Sequence, residues 1–279
     1  MRILLLTFYF RPDLSAPSFR ATALVDALIE QGGDEVEVDV FTTLPNRYHS
    51  YRVQAARQEL NGNIRIYRFP VPKHRNGMMD QARAFASYAV QVLRALRGQR
   101  YDVVFATSAR LMTAVLGAFV ANRLSVPLYL DIRDIFTEVI EDVLASRPSR
   151  HFVPVLKLLE RYAFLSAAKV NIVSGGFADY FSSIIPEERL SLFTNGIDPE
   201  FLNVSYANPN PNPRLLILYA GNIGEGQGLH RIVDEAARRL HGQAEFWIVG
   251  DGGARKKLEA ALAKARVSNV RMEPPVPRS

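Results

Sequence analysis

Short apolar runs alternate with segments in which apolar residues return every three or four positions, and this holds along most of the chain. The runs Ile3–Thr7, Val36–Phe41, Ile64–Phe69, Val103–Ala106, Pro127–Leu130, Val170–Val173 and Leu190–Phe193 predict buried strands. Between them, one helix brings Leu111, Ala114, Val115, Ala118 and Phe119 to a common face, and another does so for Val155, Leu158, Leu159 and Tyr162. A third, Asp80–Arg97, carries Phe85, Tyr88, Ala89, Val92, Leu93 and Leu96 beside Arg83, Arg94 and Arg97. Such a stripe packs on a sheet or docks on an anionic membrane surface; packing is the expectation here. Alternation of strand and helix means a parallel sheet covered on both faces, hence an α/β fold.

The pattern then breaks. Tyr206–Pro213 reads YANPNPNP, where proline removes donors and restricts each preceding residue. Regular structure resumes with strand Leu215–Ala220, a helix carrying Leu229, Ile232, Val233, Ala236 and Leu240, and strand Phe246–Val249. A second helix carries Leu258, Ala261, Leu262 and Ala265, before a last strand at Val270–Met272. The expected organisation is a Rossmann-like lobe over 1–200, a Pro/Asn linker over 201–213 and a second unit over 214–279. Doubly wound lobes take roughly 100–150 residues, so the second unit reads as incomplete and the chain as truncated. The alternative is a small three-stranded lobe packed on the first.

Composition narrows the partners. With 48% hydrophobic and 22% charged residues the chain reads as a soluble globular protein, and the absence of cysteine excludes disulfides and cysteine-based metal or redox sites. A formal charge of +6 favours acidic partners, but no basic tract interleaves with aromatics as a nucleic-acid groove would require. MRILLLTFYF is read as a first strand rather than a leader, because Arg11, Pro12 and Asp13 interrupt it. No window reaches the length of a spanning helix. The expected place is the cytoplasm or a membrane surface.

In open parallel sheets, ligands sit beyond the carboxyl ends of the strands. The first such loop to draw attention is LYAGNIGEGQGLHRI, with glycines at 221, 224, 226 and 228 and a helix starting near Gly228. Glycines let the backbone approach an anion, and a helix start offers unpaired N–H groups; a pyrophosphate is the natural occupant. The alternative is a tight turn that binds nothing. WIVGDGGARKKLE repeats the arrangement with Gly250, Asp251, Gly252 and Gly253, although such turns are common without ligands. The first lobe lacks G-x-G-x-x-G after its first strand, which disfavours a dinucleotide cofactor. In its place stands FYFRPDLSAPS, with Ser15 as a candidate N-cap and Pro17 in the first helical turn.

After PLYL comes Asp131-Ile-Arg133-Asp134, two carboxylates around an arginine, suited to a sugar-hydroxyl clamp or a general base. It equally suits a loop in which Arg133 neutralises both acids. Metal binding would need further ligands, and none is visible by spacing. His49 in Leu44–Ser50 reads as a surface residue, and Asn195–Asp198 as a turn.

DIRDIF, LLERYAFLSAAKVNIVSGGFADYF, SLFTNGIDPEF, LYAGNIGEGQGL and FWIVGDGG, in that order, resemble the group-1 (family 4) retaining glycosyltransferases. GNIGEGQGLH in particular is similar to transferases of O-antigen and capsule synthesis, including those placing N-acetyl-L-fucosamine. The resemblance implies a GT-B fold of two Rossmann-like lobes, the first complete here and the second partial. It implies a nucleotide-diphosphate sugar, UDP-linked, held by the second lobe, no other cofactor and no metal. A lipid-linked saccharide acceptor, retention of configuration and a peripheral membrane position follow from the same likeness. It maps diphosphate contacts onto Gly221, Asn222 and Gly224, with Gly250, Asp251 and Gly252 in the adjoining loop, and places Asp131, Arg133 and Asp134 at the cleft wall.

Relatives commonly carry arginine at position 222 and lysine at position 227, where this chain has Asn222 and Gln227. Helix-end dipoles contribute about 0.3–1 kcal/mol, against the 8 kcal/mol or so an enzyme must supply. Another cation is therefore expected: Arg231, Lys256, or Arg11 or Arg20 on the acceptor side. The family's later acidic motif would lie past residue 279, so the chain alone is expected to turn over poorly. Two other readings stand beside this one. One is a sugar-nucleotide epimerase of the same fold; the other is a non-catalytic paralogue acting as a partner subunit.

Overall fold

The computed structural model describes residues 1–46, 54–72, 78–108, 110–136, 153–197, 199–202 and 214–276. Residues 47–50 with His49, Asp198, and the linker from 203 to 213 lie outside the described residues. Two compact units divide between Gly196 and Ile197.

The first unit holds an eight-stranded sheet. Its strands are β1 (Arg2–Leu6), β2 (Glu37–Thr43), β3 (Gln58–Asn61), β4 (Ile64–Phe69), β5 (Val103–Ser108), β6 (Leu128–Ile132), β7 (Lys169–Ile172) and β8 (Leu190–Leu192). They lie in the order β3-β4-β2-β1-β5-β6-β7-β8, all parallel except β3. The helices are α1 (Ala16–Gly32), α2 (Met78–Ala95), α3 (Leu111–Leu124), α4 (Val153–Ser166) and α5 (Ala178–Ser182). Each predicted strand is present. Strand β3 escapes the apolar pattern because QELN is polar and exposed on the edge. The Asn61-Gly62-Asn63 turn, with Gly62 at φ +56°, is the hairpin signal that reveals it.

Strand β1 shows why the sheet is covered twice. Leu4 and Leu6 join a core with Phe8, Tyr88, Val92 and Val104, while Ile3 and Leu5 join one with Ala21, Val25, Val38 and Val40. Period-2 alternation thus sends neighbours to opposite, equally apolar faces. Helix α2 buries Phe85, Tyr88 and Val92, and Leu96 just after it is buried too, so its stripe is core. Its Tyr88 hydroxyl donates to Phe41 O at 2.7 Å, and burial pushes that phenol above its usual range. Asp39, fully buried, is offset by Arg2 (2.6 Å), Arg65 (2.5 Å) and the Tyr101 hydroxyl (2.7 Å).

Helix α4 reverses the expectation. The face with Val155, Leu158 and Tyr162 points outward, while Val153, Glu160, Ala163 and Phe164 are buried. A carboxylate goes inside because Tyr180 donates its hydroxyl to Glu160 Oε2.

The second unit contains β9 (Leu215–Ala220), β10 (Ala244–Val249) and β11 (Val270–Glu273), parallel in the order β11-β10-β9. Helices α6 (Pro199–Leu202), α7 (Leu229–Arg239) and α8 (Arg255–Ala265) complete it. Ile223, Leu229, Val233, Phe246, Ile248, Leu258 and Leu262 form its core. Strand β9 is an edge of the described sheet, and Leu215, Leu216 and Leu218 on it are exposed.

Candidate functional site

In the first unit the chain passes from β1 out to β2 and β4, then returns to β5 on the other side of β1. The crevice beyond β1 and β5 is therefore the topological switch point, where doubly wound sheets take their ligands. The loop after β1 is buried, with Phe8, Tyr9 and Phe10 nearly inaccessible. Arg110, the first described residue after β5, lies over the Phe8 ring at 4.3 Å and donates to the Tyr9 hydroxyl at 2.7 Å. Sequence reasoning passed over Arg110. Its position directly after the switch strand is the signal that finds it.

The carboxyl end of β6 places Asp131, Arg133 and Asp134 in three different settings. Asp131 is buried and accepts from Arg20 Nε and Nη2, both at 2.8 Å, and from Asn171 Nδ2 at 2.7 Å. Arg20 spends its remaining donors on Phe193 O (3.0 Å), Thr194 O (2.9 Å) and Asn195 Oδ1 (3.3 Å). This fork ties α1 to the ends of β6 and β8, and the cation that neutralises Asp131 is Arg20 rather than Arg133. Half-buried Arg133 has an Nη1 atom with no hydrogen-bond partner among the described residues. Desolvation holds its pKa below the usual guanidinium value, with Asp131 opposing that shift and Arg20 reinforcing it. Asp134 is exposed.

The other acceptor-side residues have local duties. Ser15 caps α1, accepting from Ser18 N at 3.4 Å. Arg11 is paired with Asp26 at 2.9 Å and lies over the Phe10 ring.

In the second unit, two glycine loops interlock. Gly221 N donates to Val249 O, Ile223 N to Asp251 O, and Ala254 N to Ile223 O, each at 2.9 Å. A Cβ on Gly252 would stand 2.4 Å from Ile223 O, and one on Gly250, at φ +148°, only 1.9 Å from Gly221 O. The glycines of the second loop thus serve backbone contact. Within the first loop, Gln227 Oε1 accepts from Gly224 N and Asn222 Nδ2, both at 3.1 Å. Asn222 and Gln227 bond to each other, and Gly228 at φ +64° starts α7.

The cation brought to this loop is Lys257, whose Nζ meets Glu225 Oε1 at 2.5 Å; His230 Nε2 lies 3.6 Å from Glu225 Oε2. Lys256 and Arg231 are exposed, and Arg231 contributes to Glu225 only through its field. The choice of Lys257 over Lys256 follows from helical period. Ala254, Leu258 and Leu262 form the buried stripe of α8, and Lys257 borders it while Lys256 faces away.

The Lys257 hydrogen bond, ahead of its charge and those of His230 and Arg231, holds the Glu225 carboxyl below the usual carboxylate range. A depressed folded-state pKa means the contact is present above the unfolded value and lost as pH falls through the folded one. Lys257→Met is expected to move the Glu225 titration up towards its ordinary value, as followed by carboxyl-carbon NMR. An unchanged midpoint would show that Lys257 does not hold the loop.

Among the described residues no group of acidic, histidine or cysteine side chains is arranged to hold a metal, and no helix is long and apolar enough to cross a membrane.

Against known proteins, the glycosyl transferase 4-like domain matches residues 16–196. "Putative colanic acid biosynthesis glycosyl transferase WcaI" of Escherichia coli (strain K12) is 38% identical over 64 residues, which is 23% of this chain and 16% of that one. Sucrose-phosphate synthase of Thermosynechococcus elongatus superposes with a TM-score of 0.73 at 14% identity, over 99% of this chain and 71% of that one. HepE of Anabaena, solved with UDP-glucose, superposes with a TM-score of 0.62 at 16% identity, over 99% of this chain and 69% of that one. At such identities the superpositions carry the fold, the α/β architecture of the GT-B glycosyltransferases.

Proposed function

From the premise that the chain belongs to the glycosyl transferase 4-like domain family, we propose that it moves a sugar from a nucleoside-diphosphate donor to a saccharide acceptor in surface-polysaccharide synthesis. The observation that carries this reading is the Gly221–Gly228 loop, a glycine-lined turn between β9 and α7. Support for a UDP-linked donor comes from HepE, a protein of the same fold solved with UDP-glucose. Support for polysaccharide synthesis comes from the name of WcaI.

In this reading the donor diphosphate lies on Gly221, Asn222 and Gly224, and the acceptor meets the first unit near Arg110, Arg133 and Asp134. Asp131 acts as a positioning residue, since Arg20 and Asn171 already occupy both its oxygens. Lys257, paired with Glu225, holds the loop in place. The transfer retains configuration and the acceptor is lipid-linked, so the protein works at the inner face of a membrane.

Calorimetry of the full chain with UDP, GDP and ADP tests the donor site. A Cβ at Gly224 would stand 2.6 Å from Gln227 Oε1 and 2.7 Å from Asn222 Nδ2, the movable ends of two side chains. Gly224→Val therefore reshapes the loop mouth without colliding with backbone. Heat with UDP, weakened at least about tenfold in Gly224→Val, is the expected result; one such factor corresponds to about 1.4 kcal/mol. No heat with any of the three nucleotides, or equal binding by the variant, overturns the reading.

A further inference from the structure

We propose that Arg133 receives an oxyanion, and that the acceptor bound by the first unit carries one, as a phosphate or a uronic carboxylate. The inference rests on the reading of the first unit as the acceptor side, and adds to it the charge of the acceptor. Arg133 is the first residue beyond β6, whose last residue, Ile132, lies opposite Ser108 at the end of β5. It therefore stands at the carboxyl edge of the sheet, next to the switch point between β1 and β5, where such sheets take their ligands. The chain leading to it is fixed, because Asp131, two positions earlier, is gripped by Arg20 and Asn171. A side chain on so firm a base is placed in advance for a ligand.

Charge and hydrogen bonding select the occupant. The Nη1 atom of Arg133 is buried and meets no acceptor among the described residues. Such an orphan in a native fold calls for a partner from outside the chain. Arg2 and Arg11 also leave one buried nitrogen unbonded, but each holds a carboxylate through another, Asp39 at 2.6 Å and Asp26 at 2.9 Å. Arg133 enters no ion pair among the described residues. Asp131 attracts it, yet both oxygens of that carboxylate already accept from Arg20 and Asn171. Arg20 repels it, and exposed Asp134 acts on it more weakly than either. Two guanidiniums beside one occupied carboxylate leave a positive site. A neutral sugar hydroxyl would fill the missing bond and leave the repulsion. An oxyanion answers both, and it matches the planar fork of a guanidinium.

Ligand-observed saturation-transfer NMR on the full chain tests this with methyl phosphate, methyl glucuronide and the neutral methyl glucoside. At least one of the two anions is expected to bind about tenfold more tightly than the glucoside, as a charge-assisted hydrogen bond provides. Preference for methyl phosphate assigns a phosphate to the acceptor, and preference for the glucuronide a uronate. Arg133→Gln should bring the Kd of that anion to within about twofold of the glucoside value, with Arg133→Lys, a charge without the fork, in between. Arg97→Gln removes an exposed charge elsewhere and should leave the anion Kd as it was. Arg133 has no described partner to lose, so the urea midpoint of Arg133→Gln should hold or rise. Equal binding of all three probes overturns the proposal, as does equal weakening by Arg97→Gln and Arg133→Gln. A lowered midpoint in Arg133→Gln overturns it too, by making Arg133 a residue of the fold. UDP calorimetry on the unaltered chain keeps the two readings apart: UDP heat without anion preference sinks this inference alone, and anion preference without UDP heat sinks the donor site alone.

Discussion

Gly250→Ala is expected to unfold the second unit while leaving the first intact. Its Cβ would lie 1.9 Å from Gly221 O, and the backbone sits at φ +148°, a region that side chains rarely adopt. Neither problem can be relieved by turning a side chain, because the obstacle is backbone held by its own hydrogen bond from Gly221 N to Val249 O. Overpacking costs about 1–3 kcal/mol and a forced backbone another 1–3 kcal/mol. Together they approach the 5–15 kcal/mol that typically holds a whole domain. Gly252→Ala meets the same wall at Ile223, 2.4 Å from its carbonyl oxygen.

The protein carries its own reporter. Trp247, the single tryptophan, lies on β10, so its fluorescence follows the second unit alone. Its urea midpoint should collapse in both variants, while the ellipticity contributed by the first unit melts as before. Gly226→Ala is the control: nothing lies within 4 Å of a Cβ there, and its unfolding free energy should change by less than about 0.5 kcal/mol. A wild-type Trp247 transition in Gly250→Ala would contradict the interlocked loops.

These glycines also show where a sequence stops being readable. The absent Cβ makes room either for a phosphate or for another backbone, and the pattern of glycines is the same in both cases. The fold shows the second use at Gly250 and Gly252, where a Cβ would meet backbone, whereas at Gly224 it would meet only the ends of the Gln227 and Asn222 side chains. The strands were legible because a parallel sheet buried on both faces writes itself as plain apolar runs; Leu215–Ala220 agrees with β9 to the residue. Helix α4 differs in orientation, because Val155, Leu158 and Tyr162 lie outside while a tyrosine-paired glutamate lies inside. Its periodicity gave the helix and could not give the face. Asp131 and Arg20 were each noticed, but 111 positions separate them, and no local rule pairs residues so distant.

That pair gives the other large effect. Arg20→Ala is expected to cost about 3–5 kcal/mol, the usual penalty for stripping the partner from a buried charge. It leaves Asp131, 5% exposed at its side chain, with the Asn171 amide as its one hydrogen-bond donor among the described residues. It also releases Phe193, Thr194 and Asn195, whose acceptors Arg20 engages at 3.0, 2.9 and 3.3 Å. Arg20→Lys should recover only part of the loss, because an ammonium cannot span two carboxylate oxygens and three further acceptors as the planar guanidinium does. Arg20→Met with Asp131→Leu removes both charges, and stability should then return most of the way. Transfer should not return with it if the fork's task is to hold the end of β6 in place, since Arg133 and Asp134 follow directly on the strand that Asp131 anchors. A double-mutant cycle in urea, with acceptor KM and kcat measured on each variant, separates the two roles. Additive losses of stability would dissolve the coupling, and full activity in the charge-free variant would make the fork a matter of folding alone.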